Sequence, residues 1–388
     1  MDKVRVAIIG CGGISRAHIN GHMAEPRSEI VYCVDLVEEK AQEKAQAIGC
    51  KWHTDMAAVL DEVDAVDICT PVSQHAAQTI MAAEAGKHVL CEKIMARTLD
   101  EAESMIAATD EASVVFMVAF VLRYRPEFQM LNDMCTSGEL GLIHQGFCST
   151  TMFMDPNHVQ PWRRTIEEFP MGALMSHGCH YVDQLQWDMG TITDAMAIGN
   201  RFTLGDVIPG GDDTECMVMR HENGAVSAYV ESWATPHRMQ GIRLEVFGKE
   251  ASARLVYEVR MDSATTAGST FVMGLAVNGQ PITAAATRRA MRLLNKPVEA
   301  IMPSGLRIPW AQGGNWRAVY APDFTPLGYQ GEVGGQMVEV SAYRFVIDLT
   351  DLVRHGEEVR SKVSGFVKPM AVLIIAAVAG LAAFNWIT

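Results

Sequence analysis

The sequence predicts an α/β protein with a doubly wound parallel sheet, followed by a second α/β region with a large open antiparallel or mixed sheet. Three observations indicate this fold class. Short apolar runs alternate with helical segments over the first third of the chain, which is typical of a parallel sheet covered on both faces. A glycine-rich turn follows the first of these runs. From about residue 142, longer segments alternate polar and apolar residues, as half-buried antiparallel strands do.

The first element is a strand over residues 4–9, followed by a glycine turn (GCGGIS, residues 10–15) and a helix that ends near Pro26. In a G-x-G-x-x-G/A turn the first glycine permits the tight turn and the second lets the backbone approach a pyrophosphate. The small last residue, here Ser15, lets helix and strand pack closely. Exposed N–H groups at the helix start then hold the phosphates. The turn therefore predicts a Rossmann domain that binds a dinucleotide through Gly10, Gly12, Gly13 and Ile14.

The second apolar strand, EIVYCVD, ends at Asp35. An acid at this point of a dinucleotide-binding unit accepts hydrogen bonds from the hydroxyls of the adenosine ribose. No arginine follows in DLVEEK, so nothing there neutralises a 2′-phosphate. The sequence therefore predicts NAD as the cofactor in preference to NADP.

The later strands of the parallel sheet also end in polar residues. AVDICTP breaks at Thr70-Pro71, and HVLCEK ends at Glu92-Lys93; a helix that opens with a capping box and the buried strand SVVFMVAF follow. Ligands of such sheets bind at the C-terminal ends of the strands. We therefore assign four more residues to the cofactor site, Thr70, Pro71, Glu92 and Lys93, and place Arg123 at the same edge.

Four further segments follow the parallel sheet along the chain. Alternating segments joined by the hairpin signal Asn223-Gly224 predict the antiparallel sheet. Residues 262–335 are rich in Gly and Pro and are expected to be irregular, shaping a ligand pocket or an oligomer contact. Residues 341–356 have a helical pattern, and the apolar run 370–384 is expected to be a buried helix rather than a tail anchor, because it is shorter than a spanning helix.

These patterns predict three parts of the chain. They are a dinucleotide-binding Rossmann domain over residues 1–122, a substrate and oligomerisation domain with the open sheet over 123–345, and C-terminal helices that pack back on the core over 346–388.

Composition narrows the partners and the compartment. The net charge of −14 repels phosphate backbones, so nucleic acid is not expected as a partner, nor is a membrane. The nine cysteines form an odd number without a C-x-x-C pair, which indicates free thiols in a reducing compartment. The N-terminus leads directly into an apolar strand too short for a signal peptide. We therefore expect a cytoplasmic protein.

The segment GALMSHGCHYVDQL, residues 172–185, concentrates polar side chains in one predicted helix. At about 100° per residue, Ser176, His180 and Asp183 share a face, and His177 lies off to one side. The histidines and Asp183 spread too widely around the axis for one metal ion, so we assign no metal. A hydrolase triad is disfavoured because Ser176 has no strand–turn–helix elbow. A purely structural helix and acid/base catalysis remain as interpretations.

Taken together, these motifs resemble the Gfo/Idh/MocA oxidoreductase family. The glycine turn, Asp35, CTP with His75, CEK at 91–93, RYRP at 123–126 and the segment at 172–185 occur in the order that family shows. DDTECMVMRHENG and EVFGKEASA also resemble its C-terminal sheet, whereas residues 265–335 match poorly.

The resemblance implies an NAD(P)-dependent dehydrogenase of sugars, cyclitols and related polyols that forms homo-oligomers, dimers or tetramers, through its open sheet. It also implies that His75 belongs to the cofactor site. The family's catalytic set is the lysine of an E-K-P motif with an aspartate and a histidine four residues apart on one helix. The lysine falls on Lys93 and the histidine on His180, but the proline position holds Ile94 and the aspartate position holds Ser176.

We interpret His180 as the general base that takes the hydroxyl proton during hydride transfer, with Lys93 stabilising the developing alkoxide. Asp183 is expected either to orient His180 or to serve helix packing. The candidate substrate contacts are Arg123, Trp162, Arg163, Ser176 and His177. Two other functions stay open: a glycosidase that retains NAD and cycles it, and a non-catalytic NAD-dependent sensor.

Overall fold

The structure is a computed structural model. It describes residues 3–235, 240–261, 269–277, 280–281, 316–320, 326–333 and 336–341. Its strands form two sheets that follow one another along the chain.

The first sheet is parallel throughout and has six strands in the order β3-β2-β1-β4-β5-β6. Its strands are β1 (Val4–Ile9), β2 (Ser28–Val34), β3 (Lys51–His53), β4 (Ala65–Ile68), β5 (His88–Cys91) and β6 (Phe116–Val118). Four helices connect them: α1 (Ser15–Ala24), α2 (Glu38–Ile48), α3 (Val72–Glu84) and α4 (Leu99–Glu111). The predicted doubly wound parallel sheet is confirmed.

The order of the strands places a crevice at one point of this sheet. From β1 the chain first builds outward through β2 and β3, and then returns to add β4 on the other side of β1. Where the strand order reverses in this way, the loops at the C-terminal strand ends diverge and leave room for a ligand. The glycine turn after β1 and the loop after β4 border this opening.

The second sheet has 11 strands, ten of them in the order β17-β16-β15-β13-β12-β11-β7-β10-β9-β8, with β14 paired to β13. Only the pair β7 and β10 is parallel among the strand pairs that the structure describes, so the sheet is mixed, as predicted. Its strands are β7 (Ile143–Thr151), β8 (Ile192–Asn200), β9 (Thr214–His221), β10 (Val226–Ser232), β11 (Gln240–Gly248), β12 (Ser252–Met261), β13 (Ser269–Val277), β14 (Gln280–Pro281), β15 (Trp316–Tyr320), β16 (Pro326–Val333) and β17 (Gln336–Ser341).

One face of the second sheet carries helix α6 (Cys179–Met189), and α5 (Pro126–Thr136) packs beside it. Apolar side chains of α6, such as Leu185, are fully buried there. The opposite face of β8 and β9 carries exposed apolar side chains, including Met196, Ile198 and Val218. The sheet is therefore open on that side, as the alternating pattern predicts.

The prediction of an irregular segment at 262–335 is wrong for the part of it that the structure describes. Residues 269–277, 316–320 and 326–333 form strands that extend the second sheet. Short β-branched and aromatic runs stand between the Gly and Pro residues there, and such runs favour strands even when the overall composition indicates a loop. The predicted helix at 341–356 beyond Ser341, the apolar run 370–384 and the predicted region 346–388 lie outside the described residues. The domain boundaries stay predictions.

No helix among the described residues is long and apolar enough to cross a membrane.

Candidate active site

The glycine turn after β1 is crowded at Gly10 and open at Gly12. Gly10 has a φ of +93°, and a Cβ at this position would lie 2.9 Å from the carbonyl carbon and oxygen of Cys69. Both the left-handed backbone and the close approach of the β4 loop therefore require glycine. A Cβ on Gly12, by contrast, would meet no atom within 4 Å. The space beside Gly12 is open to a ligand that approaches the main chain.

The start of helix α1 is prepared for an anion. No side chain caps its N-terminus, so its first N–H groups have no side-chain acceptor there. Ser15 is fully buried, and its hydroxyl donates to the carbonyl oxygen of Gly12 at 2.7 Å, which packs the helix tightly against the turn. The open space at Gly12 and the uncapped helix start fit the pyrophosphate of a dinucleotide.

Asp35, at the end of β2, ties the two loops of this crevice together. Its Oδ2 accepts from the N–H of Cys11 at 2.8 Å, and its Oδ1 accepts from the N–H of Val37 at 2.9 Å. The carboxylate is thereby fixed while the residue stays half-buried. Each carboxylate oxygen has a second lone pair that can accept a ribose hydroxyl. Leu36, the next residue, is 88% exposed.

The loop that carries Lys93 is held on both sides. Glu92 Oε2 accepts from the N–H of Lys93 at 3.0 Å, and the peptide bond that follows, between Lys93 and Ile94, is cis. The ring of His75 lies between two main-chain oxygens, that of Ile94 at 2.8 Å and that of Thr70 at 2.9 Å. His75 is buried, so it links the loops after β4 and β5, and its predicted contact with the cofactor stays a prediction.

The segment predicted as one continuous α-helix over 172–186 is not continuous. Leu174–Gly178 forms a π-helical turn, and only Cys179–Met189 is α-helical. Two tertiary contacts hold the wider turn: the Glu215 carboxylate accepts from the N–H of Leu174, and Lys93 Nζ donates to the main-chain oxygen of Ser176 at 2.9 Å. The assumed 100° per residue therefore fails at the start of the segment. Such π turns are frequent at functional sites.

Lys93 reaches the turn that precedes His180, although the two residues belong to different sheets. The Lys93 ammonium reaches the π turn through Ser176. His180 is buried, and burial together with the charge of Lys93 holds the pKa of its imidazole well below the usual value. Its Nδ1 is buried and has no hydrogen-bond partner in the part of the chain that the structure describes. The site therefore holds the Lys93 side chain at the turn that precedes His180, and the lowered pKa favours the neutral form of the His180 imidazole.

His177 has a partner that the sequence analysis missed. Its Nδ1 lies 2.7 Å from Oε1 of Glu231, a fully buried carboxylate on β10. Glu231 also accepts from the hydroxyl of Tyr229 at 2.6 Å and from Nε1 of Trp233 at 3.0 Å. The signal in the sequence was an acid at an inward position of an alternating strand, since residues 229, 231 and 233 share one face.

Asp183 does not bond to His180. It receives two hydrogen bonds from Arg123, one at 2.7 Å from Nε to Oδ2 and one at 2.5 Å from Nη2 to Oδ1. Burial lowers the pKa of Arg123, but the Asp183 carboxylate outweighs it and raises the pKa. This ion pair joins the segment after β6 to α6 and supports the helix-packing role that was considered for Asp183. The predicted contact of Arg123 with substrate stays a prediction.

Trp162 and Arg163 form one aromatic and cationic group. The guanidinium of Arg163 lies 4.9 Å from the ring centre of Trp162, 5.3 Å from that of Phe169 and 5.7 Å from that of Trp233. Its Nε is buried without a partner among the described residues, and burial lowers the pKa of Arg163 to about 10. Cation–π contacts thus hold the Arg163 guanidinium against Trp233, whose Nε1 donates a hydrogen bond to Glu231.

Comparison with known proteins agrees with this geometry. Residues 4–120 match the family described as "Oxidoreductase family, NAD-binding Rossmann fold", and residues 128–254 match the "GFO/IDH/MocA C-terminal domain". The chain belongs to the Gfo/Idh/MocA family, and the predicted resemblance is confirmed. The protein is an NAD(P)-dependent oxidoreductase of this family with an NAD-binding Rossmann domain.

Three known proteins illustrate the similarity. D-apiose dehydrogenase of Paraburkholderia graminis is 29% identical over 68% of this chain and 70% of its own. Levoglucosan dehydrogenase of Pseudarthrobacter phenanthrenivorans is 31% identical over 67% and 75%. Among solved structures, the WlbA dehydrogenase from Bordetella pertussis in complex with NADH and UDP-GlcNAcA is 28% identical, covers 66% of this chain and 74% of its own, and superposes with a TM-score of 0.61.

Proposed function

We propose that this protein is an NAD-dependent dehydrogenase that oxidises a ring secondary hydroxyl of a sugar, glycoside or cyclitol. The observation that carries the proposal is the hydrogen bond from Lys93 Nζ to the turn that precedes His180, whose buried imidazole has a lowered pKa. The relatives named as sugar dehydrogenases support the substrate class. Bound NAD supplies the hydride acceptor at the nicotinamide ring.

His180 serves as the general base. Its depressed pKa keeps the imidazole unprotonated at neutral pH, so a ring nitrogen is free to accept a proton. Its Nδ1 has no partner among the described residues, so no hydrogen bond there fixes which ring nitrogen carries the proton. Once protonated, the imidazolium is a stronger acid than an ordinary one because its pKa is lowered, which suits return of the proton in the reverse reaction.

Lys93 orients and stabilises the substrate oxygen. One of its three ammonium protons is committed to the main-chain oxygen of Ser176, which fixes the direction of the other two. A hydroxyl placed against them gains stabilisation as it becomes an alkoxide, because the ammonium is already in position when the charge develops.

The remaining substrate contacts are assigned to the side chains around this pair. His177, oriented by Glu231, offers its second ring nitrogen to a neighbouring hydroxyl. Ser176 donates or accepts a hydrogen bond but carries no charge. Trp162 with Arg163 provides an apolar and cationic surface of the kind that sugar faces and hydroxyls contact. Arg123, whose guanidinium is held by its ion pair with Asp183, is the last candidate substrate contact.

NAD is favoured over NADP because Asp35, just after β2, is followed by the exposed Leu36 and not by a basic side chain that could bind a 2′-phosphate. Asp35 accepts ribose hydroxyls and repels a 2′-phosphate. No arginine lies in residues 36–40, where it would neutralise that phosphate. The solved relatives that contain NADH support the same choice.

We also propose a homo-oligomer in the cytoplasm. The exposed apolar side chains on the open face of the second sheet support a contact between copies, since such patches mark interaction sites. All nine cysteines are free thiols, which supports a reducing compartment.

The experiment that tests the function is a screen of sugars, glycosides and inositols for NADH formation by the purified enzyme, with the release of free sugar measured in parallel. We expect stoichiometric NADH with at least one sugar or inositol. Release of sugar from a glycoside without net NADH identifies the NAD-retaining glycosidase instead. Cofactor binding with neither product across the panel identifies the sensor.

A further inference from the structure

Helix α1 buries a pair of histidines beneath the parallel sheet, one turn apart. His18 and His22 are 0% and 1% exposed. They face Asp67 on β4, which is 0% exposed, and Glu92 at the end of β5, which is 6% exposed. Four ionisable side chains thus lie together in the interior of the domain.

Hydrogen bonds join these side chains in a row. His18 Nε2 lies 2.9 Å from Oε1 of Glu92, and its Nδ1 lies 2.8 Å and 2.9 Å from the two oxygens of Asp67. His22 Nε2 lies 3.1 Å from Oδ2 of Asp67, and its Nδ1 lies 2.8 Å from the hydroxyl of Ser28. The row runs from the start of β2, under β4, to the loop of the active site.

His18 carries the positive charge of the row. Both of its ring nitrogens face carboxylate oxygens, so both donate, which only the imidazolium can do. Burial alone lowers the pKa of His18, but the Asp67 carboxylate outweighs it and raises the pKa well above its usual value; the Cys69 thiol lies beside the pair. The pKa of Asp67 is correspondingly lowered. His18, Asp67 and Cys69 lie close enough together to hold a metal ion. Both ring nitrogens of His18, however, already donate hydrogen bonds to carboxylates.

The row ends on the main chain of Lys93. Glu92 uses one oxygen for His18 and the other for the N–H of Lys93. Because both oxygens of Glu92 are hydrogen-bonded, His18 helps to orient the carboxylate, and Glu92 in turn orients the N–H of Lys93. Helix α1 thereby connects the phosphate end of the crevice to the catalytic ammonium.

We propose that His18 is a positioning residue for Lys93, acting through Glu92 and anchored by Asp67. Buried charges are costly, and replacing them with apolar groups is often neutral or stabilising, so fold stability alone is a weak reason for this row. A displacement of about 1 Å at the reacting group can cost about 100-fold in rate. The inference rests on the proposed function of Lys93.

The test compares His18→Gln with His22→Gln. The two side chains lie on one helix at equal depth and both bond to Asp67, but only His18 contacts Glu92. We expect His18→Gln to lower kcat about 10–100-fold with the KM for NAD unchanged, and His22→Gln to keep kcat within about twofold at a similar loss of Tm. Equal losses of kcat in both variants, in proportion to their losses of Tm, overturn the proposal.

A double-mutant cycle with Lys93→Ala separates positioning from a general effect. If His18 acts through Lys93, then His18→Gln causes little further loss of rate in the Lys93→Ala background. A full additional loss there overturns the proposal. If His18→Gln does not fold, Glu92→Gln replaces it: a fall in kcat with an unchanged KM for NAD supports the proposal, and any other outcome overturns it. Unchanged turnover in Lys93→Ala alone contradicts the proposed function, whereas an inactive Lys93→Ala with a fully active His18→Gln contradicts only this inference.

Discussion

The ammonium of Lys93 donates a hydrogen bond to the main-chain oxygen of Ser176 across 2.9 Å. This contact joins the loop after β5 of the parallel sheet to the π turn that precedes α6 on the second sheet. It holds the lysine at the turn that precedes His180.

Removal of either catalytic candidate is expected to abolish turnover while leaving the cofactor bound. Lys93→Ala and His180→Ala each lower kcat by at least about 100-fold, because proton transfer and alkoxide stabilisation are lost. The dissociation constant for NAD, measured by titration of protein fluorescence, changes only a few-fold. The control is His158→Ala, whose imidazole is exposed and contacts Asp155. Normal rates in either catalytic variant contradict the mechanism.

The rate should depend on pH through His180. The base must be unprotonated, so activity is lost as pH falls through the pKa of His180, and that pKa lies well below 6.5. We expect the acid limb of log kcat/KM to lie well below pH 6.5. In Ser176→Asp, a new carboxylate near the imidazole favours its protonated form and moves the limb upward by about one pH unit. Ser176→Asn is the uncharged control, and an equal upward shift in it argues against an electrostatic cause.

The choice of cofactor should respond to two adjacent residues. In the double variant Asp35→Ser with Leu36→Arg, the repelling carboxylate is replaced and a guanidinium is added where the leucine is exposed. We expect kcat/KM for NADP to rise by about tenfold or more, since a hydrogen bond to a charged group contributes about 1.5–3 kcal/mol. Asp35→Ser with Leu36→Gln is the control of similar length without charge. A wild-type enzyme that already prefers NADP refutes the assignment.

Asp188 should make the fold less stable as pH rises. Burial raises the pKa of this α6 carboxyl to about 7; Oδ1 accepts from Gln184 and Asn132, and Oδ2 has no partner among the described residues. The unfolded pKa is about 3.9, so the stabilisation by protonation is complete below that value and is lost as pH rises through about 7. Asp188→Asn keeps the neutral form at every pH.

The measurement for Asp188 is the difference in Tm between Asp188→Asn and the wild type at pH 5 and at pH 8. We expect a small difference at pH 5 and a gain of about 2–4 °C for the variant at pH 8. Asp194→Asn, on the exposed surface of β8, is the control. A difference that does not depend on pH contradicts a raised pKa for Asp188.

The parallel sheet could be predicted because its signals are local. The glycine turn, the apolar strands and their polar C-terminal ends all lie within short windows, and the Asn223-Gly224 hairpin was equally local: β9 and β10 pair as predicted, with Gly224 at a φ of +84°. The residues that bind a ligand at strand ends follow from the topology of the sheet.

The details of the site could not be predicted because they depend on contacts between distant elements. Same-face geometry allowed Asp183 to serve His180, but Arg123 from another segment takes both of its oxygens. The π turn depends on Glu215 and on Lys93, which are far from it in sequence. The pair of histidines on α1 at i and i+4 was visible, but nothing near it identified Glu92 as the partner of His18.

The bond from Lys93 to position 176 has a consequence for how this enzyme can diverge. The acceptor is a peptide oxygen, which is present whatever amino acid is encoded there. The tether between the two halves therefore survives substitution of the side chain, and the serine found where relatives are expected to carry an aspartate alters the local charge without releasing the lysine. Substitutions at position 176 can therefore change the charge near His180 while the hydrogen bond from Lys93 is kept.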